Sequence, residues 1–204
     1  ETKQYLAAKV FQYTAYYDSL ISNYFNQLEN IDFPDTITLA FKDKRELRYG
    51  ENPHQKATFY KEMNNLDGTI AGGIQLHGKE LSFNNINDSN GALEILKEFE
   101  KPTVVAVKHA NPCGIGSGEN LLEAYNKAYE SDKISIFGGI IAANREIDAE
   151  VAKKINEIFI EIVMAPGFTE EAINILSSKK NIRIIKIPNI MKNDYLSYDI
   201  KKVL

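Results

Sequence analysis

A lysine followed directly by a histidine, Lys108-His109, stands at the end of the apolar run Thr103-Val-Val-Ala-Val107. The pairing has a direct chemical use. An ammonium beside an imidazole opposes its protonation and keeps a neutral ring able to accept a proton. Within reach of a reacting amine, such a ring is a general base worth on the order of a hundred- to ten-thousand-fold in rate. The other reading of the pair is structural, with Lys108 in solvent and His109 bonded to a loop. Position brings the two readings nearer to level. A continuous apolar run reads as a strand buried on both faces, and open α/β sheets collect ligands beyond the carboxyl ends of their strands.

Other polar residues gather around the same stretch. Gly114-Ile-Gly-Ser-Gly118 precedes a helical pattern and reads either as turn chemistry or as an anion site on backbone amides. It lacks the Lys-Ser/Thr ending of a P-loop. Cys113 in Asn-Pro-Cys-Gly reads as a small turn residue rather than a thiolate nucleophile. Gly138-Gly139 marks a close backbone approach, and Glu161 lies between Ile160 and Ile162 in an expected strand. Arg48-Tyr49 before Gly50 could clamp a phosphate bidentately or stay solvated. Lys179-Lys180 at a helix end is accounted for by the helix dipole. His54 and His77 have no spacing that suggests a zinc site.

Regular elements must position these residues. Leu6, Val10, Tyr13, Tyr17, Leu20, Tyr24 and Leu28 recur at helical spacing, predicting one long aromatic-rich helix started by Thr2 and ended before Pro34. Its stripe is packing surface rather than a binding box. Ile37, Leu39 and Phe41 alternate like a half-buried strand. Residues 48–55 and 76–87 read as loops, the second leading to a helix capped by Asp88 or Ser89 with Leu93, Leu96 and Phe99 inward. Strands are then expected at 103–107, 134–142, 160–164 and 182–187. Helices are expected at about 119–130, at 148–159 capped by Asp148, and at 169–178 capped by Thr169. Such alternation implies a mainly parallel sheet with helices on its faces. Residues 189–204 have no clear pattern and could be an edge left by a cut.

The bulk properties remove other classes. A net charge of −4 and a pI near 5.5 give no attraction to nucleic acid or to an acidic membrane surface. No run approaches the ~20 apolar residues of a membrane span, and no secretory signal is visible. One cysteine in 204 residues excludes an internal disulfide framework and fits a reducing cytoplasm.

Five segments in order carry a family resemblance: Arg48-Tyr-Gly-Glu-Asn-Pro-His-Gln55, Gly78-Lys-Glu-Leu-Ser-Phe-Asn-Asn85, Val107-Lys-His-Ala-Asn-Pro-Cys-Gly114, Phe137-Gly-Gly-Ile-Ile-Ala142 and Ala165-Pro-Gly-Phe-Thr-Glu-Glu-Ala172. Together they resemble the first half of the AICAR transformylase domain of the bifunctional purine-biosynthesis enzymes, from about residue 36 onward. Residues 1–35 resemble the end of the preceding IMP cyclohydrolase domain. The resemblance implies formyl transfer from 10-formyltetrahydrofolate to the 5-amino group of AICAR, without a metal. His109 would be the base, and Lys108 would tune it and approach the formyl oxygen. Arg48 and Lys180 match phosphate-binding positions, and Tyr49, Asn85, Gly138 and Glu161 match positions lining the nucleotide.

The same resemblance implies a cytidine-deaminase-like layered α/β sheet, although this chain lacks the His/Cys zinc signature of deaminases. It further implies a cytoplasmic homodimer, binding no nucleic acid or membrane. The family's domain continues past position 204 with an oxyanion-stabilising asparagine and much of the folate site, and cyclohydrolase chemistry lies upstream. The 204 residues are therefore expected to hold one side of an active site and to be inactive alone. A nucleotide-binding module and a dimerisation segment are the alternatives.

Overall fold

The computed structural model describes residues 1–62 and 66–193. It divides into two compact units, residues 1–46 with 58–65 and residues 47–57 with 66–204.

The first unit is built on helix α1 (Thr2–Leu28). Glu1, not Thr2, occupies the cap position, and no side chain caps it. Thr2 already lies inside the helix. The predicted stripe is present but exposed: Tyr13 is 70% and Phe11 72% accessible, and Ser19 is the buried residue of the helix. Asn23 donates to the Thr38 carbonyl at 3.0 Å, and Lys42 Nζ sits 4.0 Å from the centre of the Tyr16 ring. Strand β1 (Phe41–Leu47) pairs with β2 (Ala57–Glu62) in a two-stranded sheet. The strand expected from Ile37 starts only at Phe41, because Ile37 and Leu39 pair with no neighbouring strand among the described residues.

The second unit holds a six-stranded sheet. Its strands are β3 (Ile74–His77), β4 (Thr103–Lys108), β5 (Asn111–Ser117), β6 (Ile140–Ala143), β7 (Ile162–Ala165) and β8 (Arg183–Lys186), in the order β3-β8-β7-β6-β4-β5. Helix α2 (Phe83–Leu96) covers one face. Helices α3 (Leu121–Ser131), α4 (Ala149–Asn156) and α5 (Glu170–Ser177) cover the other. Strand β4 serves both faces: Val104 and Ala106 join the core under α3 to α5, and Val105 and Val107 join that under α2. All four are fully buried, as a continuous apolar run demands.

The α/β class with helices on both faces and a long leading helix is as expected. The strand directions differ. Only β6, β7 and β8 run parallel, whereas β4 is antiparallel to β6 and β3 to β8. The cause is the glycine-rich segment. It is no turn into a helix but strand β5, returning antiparallel beside β4. A Cβ on Gly114 would come within 2.1 Å of the Ala128 carbonyl oxygen, and one on Gly116 within 2.1 Å of that of Ala124. The glycines therefore let α3 lie directly on the strand. Pro112 is tolerated because β5 is an edge.

Capping side chains start the helices. Asp148, Thr169 and Asn120 accept from backbone N–H groups of α4, α5 and α3. The cap of helix α2 is Ser82, six residues before the expected Asp88, in a reciprocal box with Asn85. Asp88 and Ser89 thus lie within the helix, and Phe99 lies beyond its end. The expected strand 134–142 shortens to β6, since Ile134 is 87% exposed in a turn. Of the patternless segment 189–204, residues 194–204 lie outside the described residues.

Candidate active site

Lys108 closes β4 and Asn111 opens β5, and the two pair across the ladder. His109 and Ala110 are therefore the two central residues of a tight hairpin. Both have positive φ, 55° and 58°, as a type I′ turn requires. Neither is glycine, so the turn carries about 1–2 kcal/mol of backbone strain per residue. Something must hold it. The Asp88 carboxylate of α2 does: Oδ2 accepts from His109 N–H at 3.1 Å and Oδ1 from Ala110 N–H at 2.8 Å. Asn111 Nδ2 adds a bond to the His109 carbonyl at 2.8 Å. The imidazole stands exposed at this tip.

Next to the tip the β4–β5 register shifts, so that Cys113 is one residue too many for β4. A bulge of this kind re-aims the strand beyond it. Cys113 is not a turn residue. Its thiol points to the Ala106 carbonyl at 3.5 Å, packs against the core, and burial pushes its pKa up. That is the wrong direction for a nucleophile.

Lys108 Nζ donates to the Phe137 carbonyl at 2.9 Å, which ties the end of β4 to the turn before β6. Gly138 follows with φ 74°, its N–H donating to the Phe159 carbonyl at 2.7 Å. Gly139 accepts from the Glu161 N–H at 3.0 Å. Glu161 stands just before β7 rather than within it. Its Oε2 accepts from Asn85 Nδ2 at 2.9 Å and lies 3.9 Å from the Arg183 guanidinium. Asn85, in turn, is one helical turn from Asp88 on α2. A closed circuit results, from His109 through Asp88, Asn85, Glu161, the 137–139 turn and Lys108 back to His109. It surrounds the end of the sheet where β4 finishes and β6, β7 and β8 begin.

Strand β4, like β3, presents its carboxyl end here. For the three parallel strands, this is the amino end.

Arg48 and Tyr49 occupy a loop folded on itself, with Gly50 N–H donating to Gln55 O at 2.9 Å. Arg48 is exposed and stands 5.6 Å from the centre of the Tyr49 ring. Asn84 Nδ2, beside Asn85, reaches the Glu51 carbonyl of this loop at 3.4 Å. Lys180 is exposed in the turn entering β8, at the same end of the sheet. No hydrogen bond joins Arg48 or Lys180 directly to the circuit. Lys179 does not serve its own helix. It donates to Asn156 O at 2.5 Å and to Ile158 O, capping the end of α4, and burial holds its ammonium below the usual lysine range.

Asn111, Asn84 and Arg183 were not singled out from the sequence, and Asp88 was read there only as a helix cap. The Ser-x-x-Asn pattern at Ser82 and Asn85 was the available signal: starting α2 there puts Asp88 on Asn85's face. Among the described residues, no group of His, Cys, Asp and Glu could hold a metal, and no helix is long and apolar enough to cross a membrane. A pocket of about 130 Å³ between α3 and α4, lined by Tyr125, Tyr129 and Lys154 among others, includes none of these site residues.

The amino-acid sequence that folds into this α/β sheet places the chain in a defined family. The chain is a member of the AICARFT/IMPCHase bienzyme family, which it matches over residues 1–204. It is 59% identical over 207 residues to the bifunctional purine biosynthesis protein PurH of Ruminiclostridium cellulolyticum, and 58% identical over 205 residues to that of Acetivibrio thermocellus. Both alignments cover 100% of this chain and 40% of the relative. The PurH of Bacillus cereus is 60% identical over 192 residues, covering 94% of the chain and 37% of the relative. The chain thus spans about 40% of the length of the curated relatives it matches.

Proposed function

We propose that these residues form the amine-activating side of a formyl-transfer site, acting on AICAR with 10-formyltetrahydrofolate as co-substrate, in a protein that also carries IMP cyclohydrolase activity. The amine is a weak nucleophile, its lone pair delocalised into the imidazole and carboxamide. As its nitrogen attacks the formyl carbon, His109 removes the proton, and the folate nitrogen leaves with a proton returned to it. Lys108 keeps two N–H donors beyond the bond to Phe137, enough to approach the formyl oxygen. Arg48 and Lys180 bind the phosphate, and Tyr49, Asn85, Gly138 and Glu161 line the nucleotide. No metal takes part. Residues 1–35 belong to the cyclohydrolase side and 36–204 to the transferase side.

The observation that carries this reading is the strained hairpin. Two non-glycine residues with positive φ are gripped by one carboxylate so that an imidazole stands exposed at the site's edge. Strain of this kind persists where position matters more than stability. The exposed aromatic face of α1 supports a covering surface, consistent with a homodimer. The setting is cytoplasmic.

The test is His109→Ala in the full-length gene product. Formyl transfer falls by more than a hundredfold while AICAR still binds, and transfer surviving within about tenfold overturns the base assignment. Residues 1–204 alone should bind AICAR in a calorimeter without turnover, because oxyanion stabilisation is among the largest catalytic contributions.

A further inference from the structure

We infer that Asp88 is a positioning residue for the reaction, acting through the backbone of the hairpin and not on the substrate; this rests on the proposed role of His109 as base. Three observations converge on it. Asp88 is held in the middle of α2, so its carboxylate comes from a rigid element. Both its oxygens are used on adjacent N–H groups, those of His109 and Ala110. Those two adjacent residues both hold a positive φ without being glycine.

A type I′ turn of His-Ala lacks the usual glycine at its second position. Without the carboxylate, the tip can relax toward negative φ and swing the imidazole away. The exposed N–H groups then find water, so the loss falls on the position of the ring more than on the stability of the domain. An attacking amine and its base must meet within hydrogen-bond distance, and a misplacement of about 1 Å costs on the order of a hundredfold. Gly91, one turn beyond Asp88, supports the same geometry. A Cβ there would lie 3.5 Å from the Ala110 carbonyl oxygen, so α2 lies directly against the tip.

The experiment uses the full-length gene product with AICAR and 10-formyltetrahydrofolate. Asp88→Asn keeps one acceptor and turns an N–H toward the other amide. We expect kcat to fall by on the order of a hundredfold with KM for AICAR and melting temperature nearly unchanged. Ala110→Gly is then added. Glycine adopts positive φ without steric cost, so the double variant should recover most of the lost kcat. A role in folding alone would lower the melting temperature and leave kcat of the folded enzyme unchanged. If Asp88→Asn melts too early to assay, Asp88→Glu with and without Ala110→Gly gives the same comparison.

The inference is overturned if Asp88→Asn leaves kcat within about twofold of the parent, or if Ala110→Gly restores nothing. His109→Ala, assayed alongside, separates this from the parent reading. Full activity in His109→Ala removes the base, whereas loss there with an unaffected Asp88→Asn removes only the positioning role.

Discussion

The side-chain amide of Asn85 bonds in two directions, donating to Glu161 Oε2 at 2.9 Å and accepting from the Ser82 backbone N–H at 3.2 Å. One residue thus starts α2 and fixes a carboxylate at the start of β7. Asn85→Ala should cost about 1 kcal/mol, as the loss of a helix-start bond does. Asn85→Asp keeps the acceptor for Ser82 but sets a second carboxylate against Glu161. It should be worse than alanine at pH 7 and should recover in mild acid, where the introduced aspartate takes up a proton. Urea denaturation under the two conditions checks this. A pH-independent gap would mean the two side chains do not face each other.

Glycines divide into those that cannot change and those that can. Gly116→Ala would drive a methyl to 2.1 Å from the Ala124 carbonyl oxygen and 2.5 Å from the Ala128 nitrogen, both backbone atoms of α3. The helix must lift, at a cost of about 3 kcal/mol or more. Gly138→Ala meets nothing nearer than 3.6 Å, so its cost is the positive φ alone, about 1 kcal/mol. Gly91→Ala should be neutral or stabilising, because its contact of 3.5 Å is ordinary and alanine gains about 1 kcal/mol in helix propensity. Chemical denaturation of the three variants should rank them in that order.

These glycines also show what could be read from the sequence. Gly114, Gly116 and Gly118 recur at period two, the spacing of one face of a strand, yet a cluster of glycines also fits a turn. Deciding needed the knowledge that α3 presses on that face. The buried run 103–107 and the caps Asp148 and Thr169 were legible because each depends on neighbours within a few residues. The pairing of β3 with β8 joins residues more than a hundred positions apart, and no local pattern encodes it. The site divides likewise. Lys108 and His109 announce themselves as adjacent residues, whereas Asp88 meets His109 across 21 residues and through its backbone, where side-chain type carries no signal.

Cys113 should be slow to alkylate. Burial favours the neutral thiol and is the largest influence on it, so the thiolate is scarcer at neutral pH than in a free cysteine. The rise of reactivity with pH should be displaced upward relative to glutathione. The linked effect on stability has the same sign: the contribution of the buried thiol is intact below the ordinary thiol range and is lost as the pH climbs through the raised value. Alkylation by iodoacetamide between pH 7 and 10, followed by mass, measures the displacement. A rate equal to that of glutathione would mean that the bulge holds the sulfur open to water.

Arg183 connects the loop before α2 to the start of β8. Its Nε donates to the carbonyls of Lys79 at 3.1 Å and Glu80 at 3.2 Å, and its guanidinium stands 3.9 Å from Glu161. The ion pair is long and Glu161 is 41% exposed, so the pair itself contributes little. The bonds to the two carbonyls matter more, since they hold residues 79–80 against β8 just ahead of the Ser82 cap. Arg183→Ala should cost about 2 kcal/mol and loosen residues 78–82 first. Lysine should not restore it, because a single ammonium cannot keep the planar fork that spans carbonyls and carboxylate. Hydrogen exchange at Asn85 and Ile86, whose N–H groups bond back to Ser82, reads the effect directly. Faster exchange there in Arg183→Ala, with β4 still protected, is the expected result, and uniform acceleration across the sheet would assign Arg183 to global stability instead.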